Sequence, residues 1–374
     1  MHGEKQISYI MQHNFQQILS RFGIAETDVA PFGDGLINAT YRVCNAQGEP
    51  KYILQRINHF VFKDVEALQR NIQAVTGHIR QKLTTAKVTD IGRKVLALVP
   101  ALDEKLYYFD GENYWRIYDF IADSITLTRL TPRSARLSGG TFGDFQYMLS
   151  DLPEGTIVES IPGFHNMPLR LSQMEQALKD DTAGRAKEVA HITTELERRK
   201  EAYCIQETLY KEGKLPKRIN HCDTKLNNIL FDKNETPLCV VDLDTVMPGF
   251  VLSDIGDFVR IGGNEAPEDE ADLSKIKLNK EVIMGYADGY MSKAARFLIR
   301  IEAELLAYGP ALMAYMQTVR FFTDYLNGDT YYKTVHPLHN LQRTHAQFRL
   351  LQLLEAEQKG LQSELLALYE KYRG

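Results

Sequence analysis

KRINHCDTKLNNILFDKNETPLCVVDLDTVMPG, residues Lys217 to Gly249, sets acidic, basic and amide side chains at short spacing between apolar segments. A short apolar segment runs into His221-Cys222-Asp223. Lys225 follows two residues after the aspartate and Asn228 five after it, the loop pattern H-x-D-x-K-x-x-N. Ile229 to Phe231 and Leu238 to Val241 read as two short strands joined by the turn residues Asp232 to Pro237. That hairpin returns Asp242 to the side of Asn228.

In-line attack on the terminal phosphate of ATP asks little covalent work of a protein, so catalysis is positioning plus neutralisation of charge. Asp223 suits the carboxylate that orients the attacking hydroxyl, and Lys225 the cation that meets the transferred phosphate. Magnesium prefers oxygen ligands and keeps several waters, so one amide oxygen and one or two carboxylates suffice. Asn228 and Asp242 are the expected ligands, with Asp244 a third ligand or a neighbour that orients them. The competing reading, Asp and Asn making ordinary turn hydrogen bonds, explains neither the added lysine nor the strand that ends in Asp242.

The loop resembles that of the aminoglycoside phosphotransferase and choline kinase superfamily, small-molecule kinases with a protein-kinase-like fold. HCDTKLNNILFD followed by VVDLDTVMPG is similar to the N-acetylhexosamine 1-kinases, which phosphorylate the anomeric hydroxyl of N-acetylglucosamine or N-acetylgalactosamine. GDGLINATYRV, IPGFHNMPLR, VRFFTDYLNGD and HNLQRTHAQF extend the likeness over most of the chain. The resemblance implies an α+β, two-lobed fold. Residues 1–118 would form an N-lobe of antiparallel sheet plus helix, residues 119–374 a larger, mostly helical C-lobe, with ATP between them.

Composition excludes other classes. A chain of 374 residues, 44% hydrophobic and 25% charged, lies in the ordinary globular range. A net charge of −5 with no long basic run argues against nucleic acid. No stretch approaches the roughly 20 apolar residues of a membrane span, and Ser8 to Phe22 reads as an amphipathic helix. The cysteines Cys44, Cys204, Cys222 and Cys239 are scattered, which points to a reducing cytoplasm. Nothing in the sequence calls for more than a monomer or a weak homodimer.

In the N-terminal part, Gly33 and Gly35 would let the backbone approach the nucleotide phosphates, although two glycines also mark a plain hairpin turn. Where kinases place a strand lysine paired with a helix glutamate, Tyr52 to Ile57 offers none. Either Arg56 takes the role, with Glu66 as partner, or Gln55 occupies the position and the cation comes from elsewhere. Strands near VLALVPA, KLYYFD and YWRIYDFI would complete the sheet, and Asp119 to Ile121 falls where a hinge presents backbone groups to adenine.

From Thr128 the chain turns helical, with a long helix predicted over Ala186 to Glu212. The Pro-Gly turn carrying His165 and Asn166 suits hydrogen bonding to hydroxyls and an acetamido group, or caps a helix. Only eleven residues separate Asp242 from Asp254, too few for the long activation segment of a protein kinase, so a small acceptor is favoured over a peptide. Gly262 to Lys280 reads as a mobile acidic loop. Helices are predicted over Lys280–Arg296, Phe297–Tyr308 and Pro310–Leu326, then a pair near Leu341–Lys359 and Leu361–Tyr372. Arg320 on the third is assigned to the sugar pocket. His336, His339 and His345 lack a metal-binding pattern. The alternatives are a kinase of choline, homoserine or an aminoglycoside, or an inactive nucleotide-binding protein.

Overall fold

The computed structural model describes residues 13–26, 28–33, 35 and 37–374. The chain divides into two compact units, Met1–Ser124 with Glu154–Ile161, and Ile125–Pro153 with Pro162–Gly374.

The first unit begins with helix α1 (Phe15–Ser20), capped by the Asn14 side chain. The predicted helix from Ser8 begins outside the described residues, and from residue 13 onward it is shorter than its pattern suggested. Six antiparallel strands follow: β1 (Asp28–Pro31), β2 (Ala39–Cys44), β3 (Pro50–Ile57), β4 (Leu98–Val99), β5 (Tyr108–Phe109) and β6 (Tyr114–Asp119). Their order is β1-β2-β3-β6-β4, with β5 also on β6. Alternation sends Tyr41, Val43, Leu54, Trp115 and Ile117 to one face, where they form a core with Ile18, Leu19 and Phe22 of the α1 region. Trp115 is a core residue, its Nε1 donating to Asp110 Oδ2 at 2.7 Å. Helix α2 (Val65–Thr85) starts at the Asp64 cap and buries Leu68, Ile72, Val75 and Ile79 at helical spacing. Its Asn71 exchanges two hydrogen bonds with the backbone of Val158, which ties the 154–161 segment into this unit.

The second unit is mostly helical: α3 (Pro132–Leu149), α4 (Met167–Asp180), α5 (Ala190–Arg199), α6 (Ile205–Lys211), α7 (Val251–Gly262), α8 (Lys280–Ala294), α9 (Arg300–Glu304), α10 (Tyr308–Leu326) and α11 (His339–Arg373). Two small sheets lie among them, β7 (Arg218–Asn220) with β10 (Met247–Gly249), and β8 (Ile229–Phe231) with β9 (Pro237–Val240). The antiparallel sheet and the larger helical region are those expected.

Four local expectations are corrected. The helix predicted over Ala186–Glu212 is broken into α5, a turn and α6, where buried Tyr203 stacks on Tyr315 and Tyr308. Phe297–Tyr308 holds only the short α9, because the Phe297 and Leu298 carbonyls accept from Arg218 and from Tyr369 instead of a helical ladder. The paired C-terminal helices are one 35-residue helix through Gly360. The acidic segment is anchored: Glu268 pairs with Arg260, and Asp269 lies 2.9 Å from His339 Nε2.

Candidate active site

The 221–228 loop lies between two paired strands and is held from beneath. β7 pairs with β10 in the register Asn220↔Met247, and Arg218 on β7 makes two bonds to the fully buried Glu302, at 2.6 and 2.8 Å. The backbone then turns sharply, with Cys222 at φ 63°. That conformation is uncommon for a residue with a Cβ, and one carboxylate stabilises it. Asp254, fully buried on α7, accepts from the N–H of His221 and of Cys222, each at 2.8 Å. Burial pushes the Asp254 pKa up, opposed by His221, the two backbone bonds and Gln146. Thr224 Oγ1 donates to the Asp254 carbonyl at 2.6 Å. Asp254 therefore braces the loop from within α7.

The brace continues through residues no motif announced. Gln146 Nε2 on α3 donates to Asp254 Oδ2 at 2.7 Å and to Asn220 Oδ1 at 2.8 Å, while Tyr290 OH on α8 donates to Gln146 Oε1 at 2.6 Å. His221 Nε2 donates to the Val241 carbonyl at 3.0 Å, and the ring packs against Phe142 and Phe145. His221 is thus a fixed core histidine that ties the loop to the strand end.

On the outer side, Lys225 Nζ lies 2.8 Å from Asp223 Oδ2, and Asn228 Nδ2 donates to the same oxygen at 3.1 Å and to the Asp223 carbonyl at 2.8 Å. Burial opposes the Lys225 charge, but the carboxylates of Asp223, Asp242 and Asp257 outweigh it and hold its pKa above the ordinary value. The hairpin forms in the register Ile229↔Val240, and Val241 N donates to the Asn228 carbonyl at 2.9 Å. Asp242 follows in left-handed backbone, φ 60°, which an aspartate tolerates. Asp244 is buried in the short turn after it. The interval from Asp242 to α7 is filled by that turn and β10.

His165 lies on the turn before α4, its ring stacked on Phe164 at 4.4 Å, and Arg320 lies 5.4 Å from the Phe164 ring. Both residues thus lie against the same Phe164 ring. Asn166 does not join them: it is exposed and its Oδ1 caps α4 by accepting from Leu169 N at 2.9 Å.

In the first unit, Gly33 has φ +73° and Gly35 would press a Cβ against the Asn38 carbonyl. The pairing of Arg56 with Glu66 does not form. Glu66 pairs with Arg70 at 3.0 Å on the exposed face of α2, and Arg56 Nη1 lies 3.3 Å from His13 Nε2, opposite Trp115 in the strand register. On the other face, Gln55 Oε1 accepts from Arg116 Nε and Nη2 at 2.9 and 2.8 Å. Arg116 is buried on β6, cross-strand from Gln55, and strand spacing within the Tyr52–Ile57 segment gave no sign of it. After β6, the N–H of Asp119 donates to Ala97 and that of Phe120 to Lys51. The N–H of Ile121 has no partner among the described residues.

Solved structures share this architecture. An aminoglycoside phosphotransferase from Alicyclobacillus acidocaldarius superposes with a TM-score of 0.62 at 12% identity, covering 93% of this chain and 96% of its own. A spectinomycin phosphotransferase, solved with ADP and spectinomycin, gives 0.55 at 14% identity, over 92% and 97%. A choline/ethanolamine kinase family protein from Mesorhizobium loti gives 0.51 at 15%, over 99% and 100%. At such identities these likenesses speak for the fold. Residues 28–282, more than half of the chain, match the phosphotransferase enzyme family of the aminoglycoside phosphotransferase type, and the chain belongs to that family.

Proposed function

We propose that this phosphotransferase transfers the terminal phosphoryl group of ATP to the anomeric hydroxyl of an N-acetylhexosamine, giving the sugar 1-phosphate. The observation that carries the chemistry is the clamp on Asp223. Lys225 and Asn228 both engage Oδ2, which leaves Oδ1 to accept the hydrogen bond of the acceptor hydroxyl and, late in transfer, its proton. Lys225, kept charged by its carboxylate neighbours, stabilises negative charge on the transferred group.

Asn228, Asp242 and Asp244 fit a magnesium ion. Asn228 turns its amide nitrogen to Asp223, so its oxygen is the ligating atom, and the donor set is oxygen throughout. Bound there, magnesium would neutralise phosphate charge. Arg116 takes the part of the absent strand lysine in this reading, in place of Arg56, with Gly33, Gly35 and the Asp119–Ile121 backbone serving the nucleotide. The spectinomycin phosphotransferase solved with ADP supports a nucleotide co-substrate.

The acetamido-sugar acceptor rests on the likeness of the loop and of the segments around His165 and Arg320 to the N-acetylhexosamine 1-kinases. Arg170 and Arg320 beside Phe164 disfavour cationic acceptors such as choline or aminoglycosides. The four free cysteines suit a reducing cytoplasm, and among the described residues no helix is long and apolar enough to cross a membrane.

The test is coupled ADP release from Mg-ATP with N-acetylglucosamine, N-acetylgalactosamine, glucose, galactose, choline, homoserine and kanamycin. Turnover on the acetamido sugars with an acid-labile phosphate product is expected. Turnover confined to another compound would overturn the acceptor and keep the Asp223 chemistry.

A further inference from the structure

Two arginines of the second unit meet Phe164, one at its carbonyl and one at its ring, and among the described residues neither pairs with a carboxylate. Arg170 Nη2 donates to the Phe164 carbonyl at 2.9 Å and Nη1 to Gln173 at 2.9 Å. Arg320 lies 5.4 Å from the Phe164 ring and 5.7 Å from the Tyr332 ring, and of its five N–H groups one is engaged, by Gln317 Oε1 at 3.2 Å. Both side chains are half-buried, and neither forms an ion pair among the described residues. Other inward guanidiniums of the second unit are treated differently: Arg199 sits on Glu195 and Glu355, Arg218 on Glu302, and Arg260 on Asp257 and Glu268.

The geometry points to an oxyanion subsite at Arg170 and Arg320, taking a carboxylate or phosphate group carried by the acceptor. Two neighbouring cations repel in a half-desolvated setting, and an oxyanion shared between them would replace that repulsion with charge-assisted hydrogen bonds. A neutral hydroxyl or acetamido carbonyl could accept one N–H and would leave the repulsion in place. Phe164 and Tyr332 flank Arg320 and limit how far it can swing toward water.

The electrostatics agree. Burial and the neighbouring Arg320 push Arg170 down to about 10. Burial, then Arg320, Arg170 and Arg260, push His165 down to about 3, so its imidazole is neutral at pH 7 and adds no further charge.

That the anion arrives on the acceptor rests on the proposed phosphotransfer; the affinity for an oxyanion does not. The test uses matched acceptors at constant ionic strength: galactose against galacturonic acid, and N-acetylglucosamine against its 6-phosphate, with wild type and Arg170→Gln. The acidic member is expected to have a KM about tenfold below its neutral partner in wild type. The variant should bring that ratio near one, whereas general damage would shift both members together. Calorimetric titration with inorganic phosphate runs alongside. Phosphate that competes with the acceptor and binds about tenfold more weakly to the variant shows that the subsite also takes a free oxyanion. Equal KM values within each pair, together with a phosphate titration that is silent or insensitive to Arg170→Gln, overturn the subsite. Phosphate binding lost in the variant with no sugar turned over would keep the subsite and remove the sugar-kinase reading.

Discussion

Lys225 and Asn228 hold the same oxygen of Asp223, and this makes the two oxygens of that carboxylate inequivalent. Asp223→Asn puts an amide where a proton acceptor is needed, so kcat should fall by roughly 10²- to 10⁴-fold with nucleotide affinity kept. Single-turnover rates beside a nucleotide titration check this, and an unimpaired rate would sink the mechanism. Asp254 acts one step further back. Asp254→Ala strands two buried N–H groups and the Gln146 amide, for which about 2–4 kcal/mol of stability is expected to go, with kcat falling more than KM rises. Denaturant unfolding together with steady-state kinetics separates the two effects. The loop and hairpin that carry Asp223, Lys225, Asn228 and Asp242 were legible because their residue types stand at short, fixed spacing. Gln146 and Tyr290 were not, because Gln146 lies 74 residues from Asn220, Tyr290 lies 144 residues from Gln146, and both resemble any other helix residues. Arg116 was missed for the same reason, its partner lying on another strand.

The bracing residues Gln146 and Tyr290 meet because α3 and α8 run unusually close. Gly139 and Gly143 of α3 face the backbone of Tyr286 and Tyr290, and Gly289 of α8 faces the Arg136 carbonyl, with no room for a Cβ at any of them. Gly289→Ala must push the helices apart, so a loss of about 1–3 kcal/mol is expected, read as a lower thermal midpoint with reduced turnover. A variant as stable and active as wild type would show that the close approach is dispensable. Gly360 is the opposite case: it is exposed within α11, and an added methyl meets nothing closer than 4.0 Å. Gly360→Ala should stabilise by about 0.5–1 kcal/mol, measurable by urea unfolding. In the sequence Gly360 reads as a helix end. The helix continues because Leu361, Leu365 and Tyr369 extend the buried stripe and Gln362 exchanges hydrogen bonds with Ala303 and Ala307.

Across the second unit, Asp288 of α8 joins three helices. It accepts from Arg136 Nε at 2.6 Å, Tyr372 OH at 2.8 Å and Lys371 Nζ at 3.0 Å. Burial alone would raise its pKa, but these three partners outweigh it and bring it to about 2. Because the folded pKa lies below the unfolded one, this stabilisation is fully present above about pH 4 and is lost as pH falls toward 2. With Arg136 and Lys371 largely exposed to screening solvent, about 1 kcal/mol is expected. Asp288→Asn should therefore destabilise the protein at pH 7, with the difference closing by pH 2 in unfolding curves; a gap that persists at pH 2 would assign the effect to packing. What the sequence by itself determined is the phosphotransferase family and the class of fold, since the 221–228 loop and its hairpin are local patterns of residue type and spacing. Tertiary structure alone decided where helices break or continue, which cation faces Gln55 and which arginines pair with a carboxylate among the described residues. Those outcomes depend on what distant segments bring to the same place, and burial there outweighs the local preference of any single stretch.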